Sequence, residues 1–155
     1  MKIILFFCDK IKPREFSSIE SLYIKRLKNK NIEVIEYKNS SSKKNAKTSK
    51  EFIVKLLKPN DYVVMCDEKG DLLSTNDIVS LLKESRETSQ YMMSFKRLVF
   101  IIGGSNGFSD NAKNNAHLLY SLSGLVLAGG IARVVLLEAI YRGMMILDKH
   151  PYHNE

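Results

Sequence analysis

Residues 98–110 set the frame for the whole chain. Leu98 to Ile102 is an unbroken apolar run, Gly103, Gly104 and Gly107 follow within five residues, and Ser109 and Asp110 come next. An apolar run that stops at glycines and resumes at helix-capping residues reads as a strand, a turn and a helix start. Glycine lets backbone pass close to a ligand and adopt positive φ. In open α/β sheets ligands bind outside the carboxyl ends of the strands, so this junction is a candidate small-ligand site. It is neither of two familiar glycine motifs. A dinucleotide fingerprint needs G-x-G-x-x-G and a phosphate loop needs Lys after its last glycine, whereas Phe108 follows Gly107. A plain tight strand-to-helix turn satisfies the same residues.

The rest of the chain supplies strands and helices in alternation. Residues 2–8 (KIILFFC) and 62–66 (YVVMC) are continuous apolar runs of strand length, the pattern of strands buried on both faces of a parallel sheet. Residues 32–37 (IEVIEY) alternate as a further strand, and 96–102 and 118–122 complete the set. Residues 13–29 are helical, opened by Pro13, with Phe16, Ile19, Leu22 or Tyr23, and Leu27 at helical spacing. Helices are also expected at 50–57, at 76–87 with Ser74 and Asp77 in a capping-box spacing, at 110–116 and at 131–147. Loops are expected at 67–71 and 123–130. Such alternation predicts an α/β fold with a mostly parallel sheet flanked by helices. At 155 residues, without an internal repeat or a linker, the chain reads as a single domain spanning 1–155.

Charge and composition narrow the function classes. Lys and Arg number 24 against 17 Asp and Glu, a net charge of +7. That balance suits a polyanionic partner such as nucleic acid, and equally a merely basic surface. Residues 38–50 (KNSSSKKNAKTSK) are either a phosphate-contacting loop or a solvated connector. Cys8 and Cys66 lie in apolar runs, which predicts buried thiols in a reducing cytoplasm and no disulfide framework. The apolar amino terminus is too short for a signal sequence and no run reaches membrane-spanning length, so no membrane partner is expected. His150-Pro151-Tyr152-His153 lacks a third ligand, so no metal site is expected.

The last helix is apolar nearly all round. Within residues 131–147 the only charges are Arg133, Glu138 and Arg142, whereas a surface helix leaves a whole polar face. A homodimer that buries its second side accounts for this, as does a central helix of a monomer. Pro151 ends that helix near Lys149. Beyond it Tyr152 and His153 have no obvious core to join. Arg142, Tyr152 and His153 are the chemically distinctive residues of the final segment, with a frayed tail as the plain reading.

Several segments, in order and at matching spacing, resemble the ribosomal RNA large-subunit methyltransferase H family of the SPOUT class. Residues 1–8 resemble its first strand. Cys66-Asp67-Glu68-Lys69-Gly70 with Leu73-Ser74-Thr75 resembles its Leu-Asp-x-x-Gly…Leu-Ser-Ser segment. Residues 100–108 resemble F-x-I-G-G-x-x-G-[LF], Ser121-Leu122-Ser123 resembles [SA]-[LF]-S, and Arg133 through Arg142 resembles the last helix. His150-Pro151-Tyr152-His153 resembles the terminal motif. The resemblance implies transfer of a methyl group from S-adenosylmethionine to N3 of a pseudouridine in a 23S ribosomal RNA stem-loop. It also implies a carboxyl-terminal trefoil knot, an active homodimer, and ribosomal RNA or the assembled ribosome as partner.

Carried over by position, the cofactor contacts implied are Cys66, Gly103, Gly104, Leu122, Ser123, Gly124, Leu125, Val126 and Leu127. The catalytic residues implied are Arg142, Tyr152 and His153. One segment departs. Where the family has a Met-Thr-x-Pro-His-Gln type sequence, this chain has Leu125-Val126-Leu127-Ala128-Gly129-Gly130, without the hydroxyl, the proline or the imidazole. Two other readings follow from the residues: a non-catalytic RNA-binding module with a degenerate cofactor loop, and a phosphate-binding α/β protein, which the missing Lys disfavours.

Overall fold

The computed structural model describes residues 1–10, 14–37, 53, 56–87, 90, 93–104 and 107–152. Five strands pair there: β1 (Lys2–Phe7), β2 (Ile32–Glu36), β3 (Asp61–Leu72), β4 (Arg97–Ile102) and β5 (Leu118–Ser121). Their order is β2-β1-β4-β3-β5 and every pairing is parallel. Four described helices accompany them: α1 (Arg14–Leu27), α2 (Thr75–Glu87), α3 (Asp110–Lys113) and α4 (Gly129–Leu147).

The continuous apolar runs follow from burial on both sides of the sheet. Side chains alternate across a strand. Ile3, Leu5, Phe7, Val64, Leu98 and Phe100 face one way, against Ile78 and Leu82 of α2 and Leu136, Leu137 and Ile140 of α4. Ile4, Phe6, Cys8, Val63, Met65, Val99 and Ile101 face the other, against Ile53, Phe108 and Ala112. The interior strands β1 and β4 therefore have no polar face to show in their sequence.

α4 packs against both α1 and α2. Its approach to α2 is close at Gly143, where a Cβ would stand 2.7 Å from Leu82 Cδ1 and 2.9 Å from Ile78 Cγ2. The helix ends at Leu147, with Asp148 as C-cap and Lys149 at φ 54°, as Pro151 predicts. No helix among the described residues is long and apolar enough to cross a membrane.

Three expectations need correction. Residues 67–71 lie within β3, not in a loop after it. Cys66 and Asp71 both pair with Tyr120, so residues 67–70 bulge out between them and the strand resumes. A Cβ on Gly70 would stand 2.5 Å from Leu119 O, so the bulge rests directly on β5 backbone. Next, α4 begins at Gly129, so the two glycines expected in the loop form its first turn, behind an Ala128 N-cap with no side-chain bond. Finally α3 is only four residues, with Ser109 Oγ accepting the Ala112 N–H at its start and Asn114 closing it. The basic loop at 38–50 and most of the expected helix at 50–57 lie outside the described residues.

Candidate functional site

Parallel strands deliver their carboxyl ends to one edge of the sheet, and ligand sites collect there. Beyond the ends of β1, β3, β4 and β5 lies a cavity of about 680 Å³, a size suited to a small molecule. Gly103 and Gly104 of the β4 turn line it, as does Cys66 at the start of the β3 bulge. Of the segment after β5, Leu122, Ser123, Leu125, Val126 and Leu127 line it, and Gly124 does not.

Local hydrogen bonds shape these walls. Ser121 Oγ donates to Ser123 O at 2.7 Å, and Ser123 Oγ accepts the Leu125 N–H at 2.9 Å. Leu125 and Val126 stand 75% and 81% exposed at the mouth. In the β4 turn the Gly107 N–H donates to Gly104 O at 2.8 Å, and Gly107 takes φ +61°, a conformation that favours glycine. A Cβ on Gly103 would meet the Phe108 ring at 3.2 Å, so that wall is already in close contact.

The charged lining was not singled out from sequence. Asp67, in the bulge, pairs with Lys113 of α3 at 2.7 Å. Burial works to raise its carboxyl, but the Lys113 and Lys69 interactions hold it below the usual range. Asp9 and Lys10 follow β1, and the Asp9 carboxylate lies over Gly104, where an added Cβ would meet Asp9 Oδ2 at 2.9 Å. Arg133, in the second turn of α4, lines the cavity and is only 4% exposed. Its guanidinium donates to Asp9 O at 2.7 Å, Glu20 Oε1 at 2.5 Å and Glu36 Oε2 at 2.7 Å, and lies 4.2 Å from the Phe7 ring centroid. One residue thus ties α4 to β1, α1 and β2. Its signal in the sequence is a lone charge in the apolar first half of the last helix.

Cys8 is buried, while Cys66 is half-buried at the cavity wall. Burial pushes the thiols of Cys8 and Cys66 up to about 12, with the Asp9 charge adding to the effect at Cys8, and the thiolate is the reactive form. Among the described residues no group of three His, Cys, Asp or Glu side chains is placed to hold a metal ion.

Arg142 and Tyr152 come together, but away from this cavity. Arg142 lies nine residues beyond the cavity-lining Arg133, about 14 Å along the helix axis at 1.5 Å per residue. Its guanidinium donates to Glu138 Oε1 at 2.5 Å and lies 5.1 Å from the Tyr152 ring centroid. Tyr152 does have a core to join, contrary to the sequence expectation. Its ring packs edge-on against Tyr141 at 4.7 Å, and its hydroxyl lies 3.3 Å from Glu138 Oε1 and 3.4 Å from the Tyr23 hydroxyl. The Tyr23 hydrogen bond, burial and the Glu138 charge push its phenol up to about 12. His153 lies outside the described residues.

Known proteins are similar to this chain over most of its length. A family model described as Predicted SPOUT methyltransferase matches residues 1–153. Proteins named ribosomal RNA large subunit methyltransferase H are similar to it in several bacteria. The one from Bacteroides thetaiotaomicron is 32% identical over the whole of both chains. That of Caldicellulosiruptor saccharolyticus is 37% identical over 93% of this chain and 94% of its own. That of Methylobacillus flagellatus is 34% identical over 86% of each. With a parallel α/β sheet, a cavity at its carboxyl edge and matches that run nearly the full length, the chain belongs to the SPOUT methyltransferase family, in the branch named ribosomal RNA large subunit methyltransferase H.

Proposed function

We propose that this protein transfers the methyl group of S-adenosylmethionine to N3 of a pseudouridine in a 23S ribosomal RNA stem-loop, acting on the large subunit as a cytoplasmic homodimer. The observation that carries the reading is the cavity at the carboxyl edge of the sheet, lined by Gly103, Gly104 and the 122–127 segment, in a chain that matches the family over residues 1–153.

The residues present suit the cofactor. Leu122, Leu125 and Leu127 offer an apolar slot for adenine, and the exposed peptides of their loop offer hydrogen bonds to its edge. Gly103 and Gly104 let the chain pass close to the ribose and the methionine arm. When bound, S-adenosylmethionine supplies a methyl group already activated on a positively charged sulfur. The protein's own work is to hold the acceptor nitrogen in line with that carbon and keep water out. In this reading Tyr152 stacks on the target base, a contact worth about 1–3 kcal/mol. Arg142 stabilises the anion left when N3 loses its proton. His153, whose imidazole can both accept and donate a proton, takes or relays that proton.

The placement of these groups supports the homodimer. Arg142 stands about 14 Å down α4 from the cavity-lining Arg133, with Tyr152 beside it, which favours their serving the cavity of a second subunit. Exposed Ile131 on α4 and Ile19 and Leu22 on α1 supply apolar surface for such a contact. The trefoil knot belongs to the same proposal. β5 is an edge strand beside β3, whereas α4 packs on both α1 and α2. Passage of residues 122–128 beneath the connection from β3 to α2 would tie the knot.

The test is single-turnover methyl transfer to ribosomes isolated without the modification, run beside cofactor binding. Label at N3 of one 23S pseudouridine is the expected outcome. Cofactor binding without transfer would replace the enzyme by an RNA-binding module with a degenerate loop, the alternative that residues 125–130 motivate. Mixing a chain lacking residues 150–155 with a chain altered in the 122–127 segment should restore activity at one site per heterodimer.

A further inference from the structure

The groups assigned to the target base stand beside a cation held in an unusual way. Four arginines have carboxylate partners within the fold: Arg86 has Asp148, Arg97 has Asp61, Arg133 has Glu20 and Glu36, and Arg142 has Glu138. Arg26, exposed in the last turn of α1, is held by rings instead. Its guanidinium carbon lies 5.5 Å from the Tyr23 ring centroid and 5.4 Å from that of Tyr141, both within cation–π reach. The positions one turn before it on α1 are Leu22 and Tyr23, so its own helix offers it no carboxylate. A ring attracts the charge without accepting an ordinary hydrogen bond. Among the described residues no acceptor engages the N–H donors of this guanidinium. The same two tyrosines lead to Tyr152: the Tyr23 hydroxyl lies 3.4 Å from the Tyr152 hydroxyl, and the Tyr141 ring meets the Tyr152 ring edge-on at 4.7 Å.

An oriented cation with unused donors, beside a ring that stacks on a base, suits the backbone of the same strand. Resting on the reading that Tyr152 and Arg142 receive the target nucleotide, we propose that Arg26 grips a phosphate of the RNA next to that nucleotide. A planar guanidinium presents paired N–H groups that match two phosphate oxygens. The two rings hold it in place before RNA arrives, so less side-chain freedom is lost on binding. Helix-end electrostatics favour a cation at this position too, but Lys25 in the same turn meets that need and has no ring contact among the described residues. The two arginines divide the work. Arg142, neutralised by Glu138, is reserved for charge that develops during the reaction. Arg26 supplies affinity, because a phosphate carries the same charge before and after methyl transfer.

Binding of the full chain to ribosomes isolated without the modification, over a potassium chloride series at fixed magnesium, tests the contact. Each phosphate neutralised contributes about 0.7–0.9 to the slope of log affinity against log salt. Arg26→Gln should reduce that slope by one such contribution and weaken binding about tenfold. Arg26→Lys keeps the charge and should keep the slope, with a smaller loss of affinity. Lys25→Gln removes the same charge away from the rings and should leave the slope unchanged. In single-turnover transfer, Arg26→Gln should raise the ribosome concentration for half-maximal rate about tenfold and leave the saturated rate within about twofold. Its affinity for S-adenosylmethionine and its sedimentation should match the parent's. An unchanged slope in Arg26→Gln, or an equal drop in Lys25→Gln, would overturn the phosphate contact. So would a fall in the saturated rate at unchanged half-saturation, or altered sedimentation, since Arg26 would then support the tyrosines or a subunit contact. A parent that binds ribosomes but transfers no methyl group fails the function reading alone, and the salt slope still decides on Arg26. One that does not bind ribosomes overturns the contact as well.

Discussion

Replacing Arg133 by Met removes the tie between α4 and three other elements. Glu20 and Glu36 then lose their shared cation, and Glu20 is only 5% exposed. Breaking a buried ion pair by removing one partner costs about 3–5 kcal/mol, because the remaining charge stays buried without compensation. An exposed pair would cost no more than about 1 kcal/mol. For a chain of this size each kcal/mol moves Tm by about 2–4 °C, so Arg133→Met should lower Tm by about 6–20 °C. The partner substitution separates the charge from the packing. In Arg133→Met/Glu20→Leu the deepest uncompensated carboxylate is gone, and Glu36, whose side chain is 29% exposed, keeps contact with water. Arg133 Nε and Glu20 Oε2, which find no hydrogen-bond partner among the described residues, also cease to be buried polar atoms. The double variant should therefore recover at least about 1 kcal/mol over the single. Thermal and urea unfolding followed by circular dichroism measures both, at one fixed protein concentration so that any self-association acts on all variants alike. A Tm within about 2 °C of the parent, or costs that simply add in the double variant, would refute a buried charge held by Arg133.

Two further outcomes follow from the packing and the thiols. Gly70→Ala brings a Cβ to 2.5 Å from Leu119 O; backbone cannot yield as a flexible side chain does, so β3 and β5 must shift at a cost of about 1–3 kcal/mol, and unchanged urea unfolding would count against the rigid bulge. The raised thiols of Cys8 and Cys66 mean that the native chain holds protons the unfolded chain releases above its thiol pKa of about 8.5; stability is thus full below that pH and falls as pH rises toward 12, and alkylation of the native protein at pH 8 should be slow, with rapid labelling of both cysteines contradicting the burial.

The fold was legible where the residues report only their own surroundings. Burial on both faces is written into the runs at 2–8, 62–66 and 98–102, because a strand with no polar face has nowhere else to go. The order of those strands is not written there. It depends on which connection crosses which, and β4 lies between β1 and β3 in space but after both in sequence. The bulge at 67–70 was read as a loop because Asp67, Lys69 and Gly70 have turn chemistry; the return of the strand at Asp71 depends on Tyr120, far along the chain. At the site, the glycine turn announced itself through composition. Tyr152 could not, since its stabilising neighbour Tyr23 is 129 residues away. Asp9 follows the apolar run of β1, and only the β1–β4 pairing places its carboxylate over Gly104.

The segment that departs from the family pattern shows how this chain balances order against burial. Its first half is pinned: Ser121 and Ser123 each contribute one side-chain hydrogen bond within it, worth about 1 kcal/mol apiece. Its second half lacks proline, and the helix that follows starts on Gly129 and Gly130 behind a residue with no capping side chain. Each glycine held in a helix gives up about 0.5–1 kcal/mol relative to alanine, so ordering that turn costs roughly what the two serine contacts contribute. Leu125 and Val126 lie between the halves, 75% and 81% exposed. Covering such a side chain fully is worth about 1.5–3 kcal/mol, more than either local term. The loop is therefore set by what covers those two residues. In the cofactor reading a ligand in the cavity reaches Leu125 from within, while Val126, the more exposed of the two, is left to a second subunit or the RNA. Closing the loop from both sides then makes each ligand's binding favour the other's.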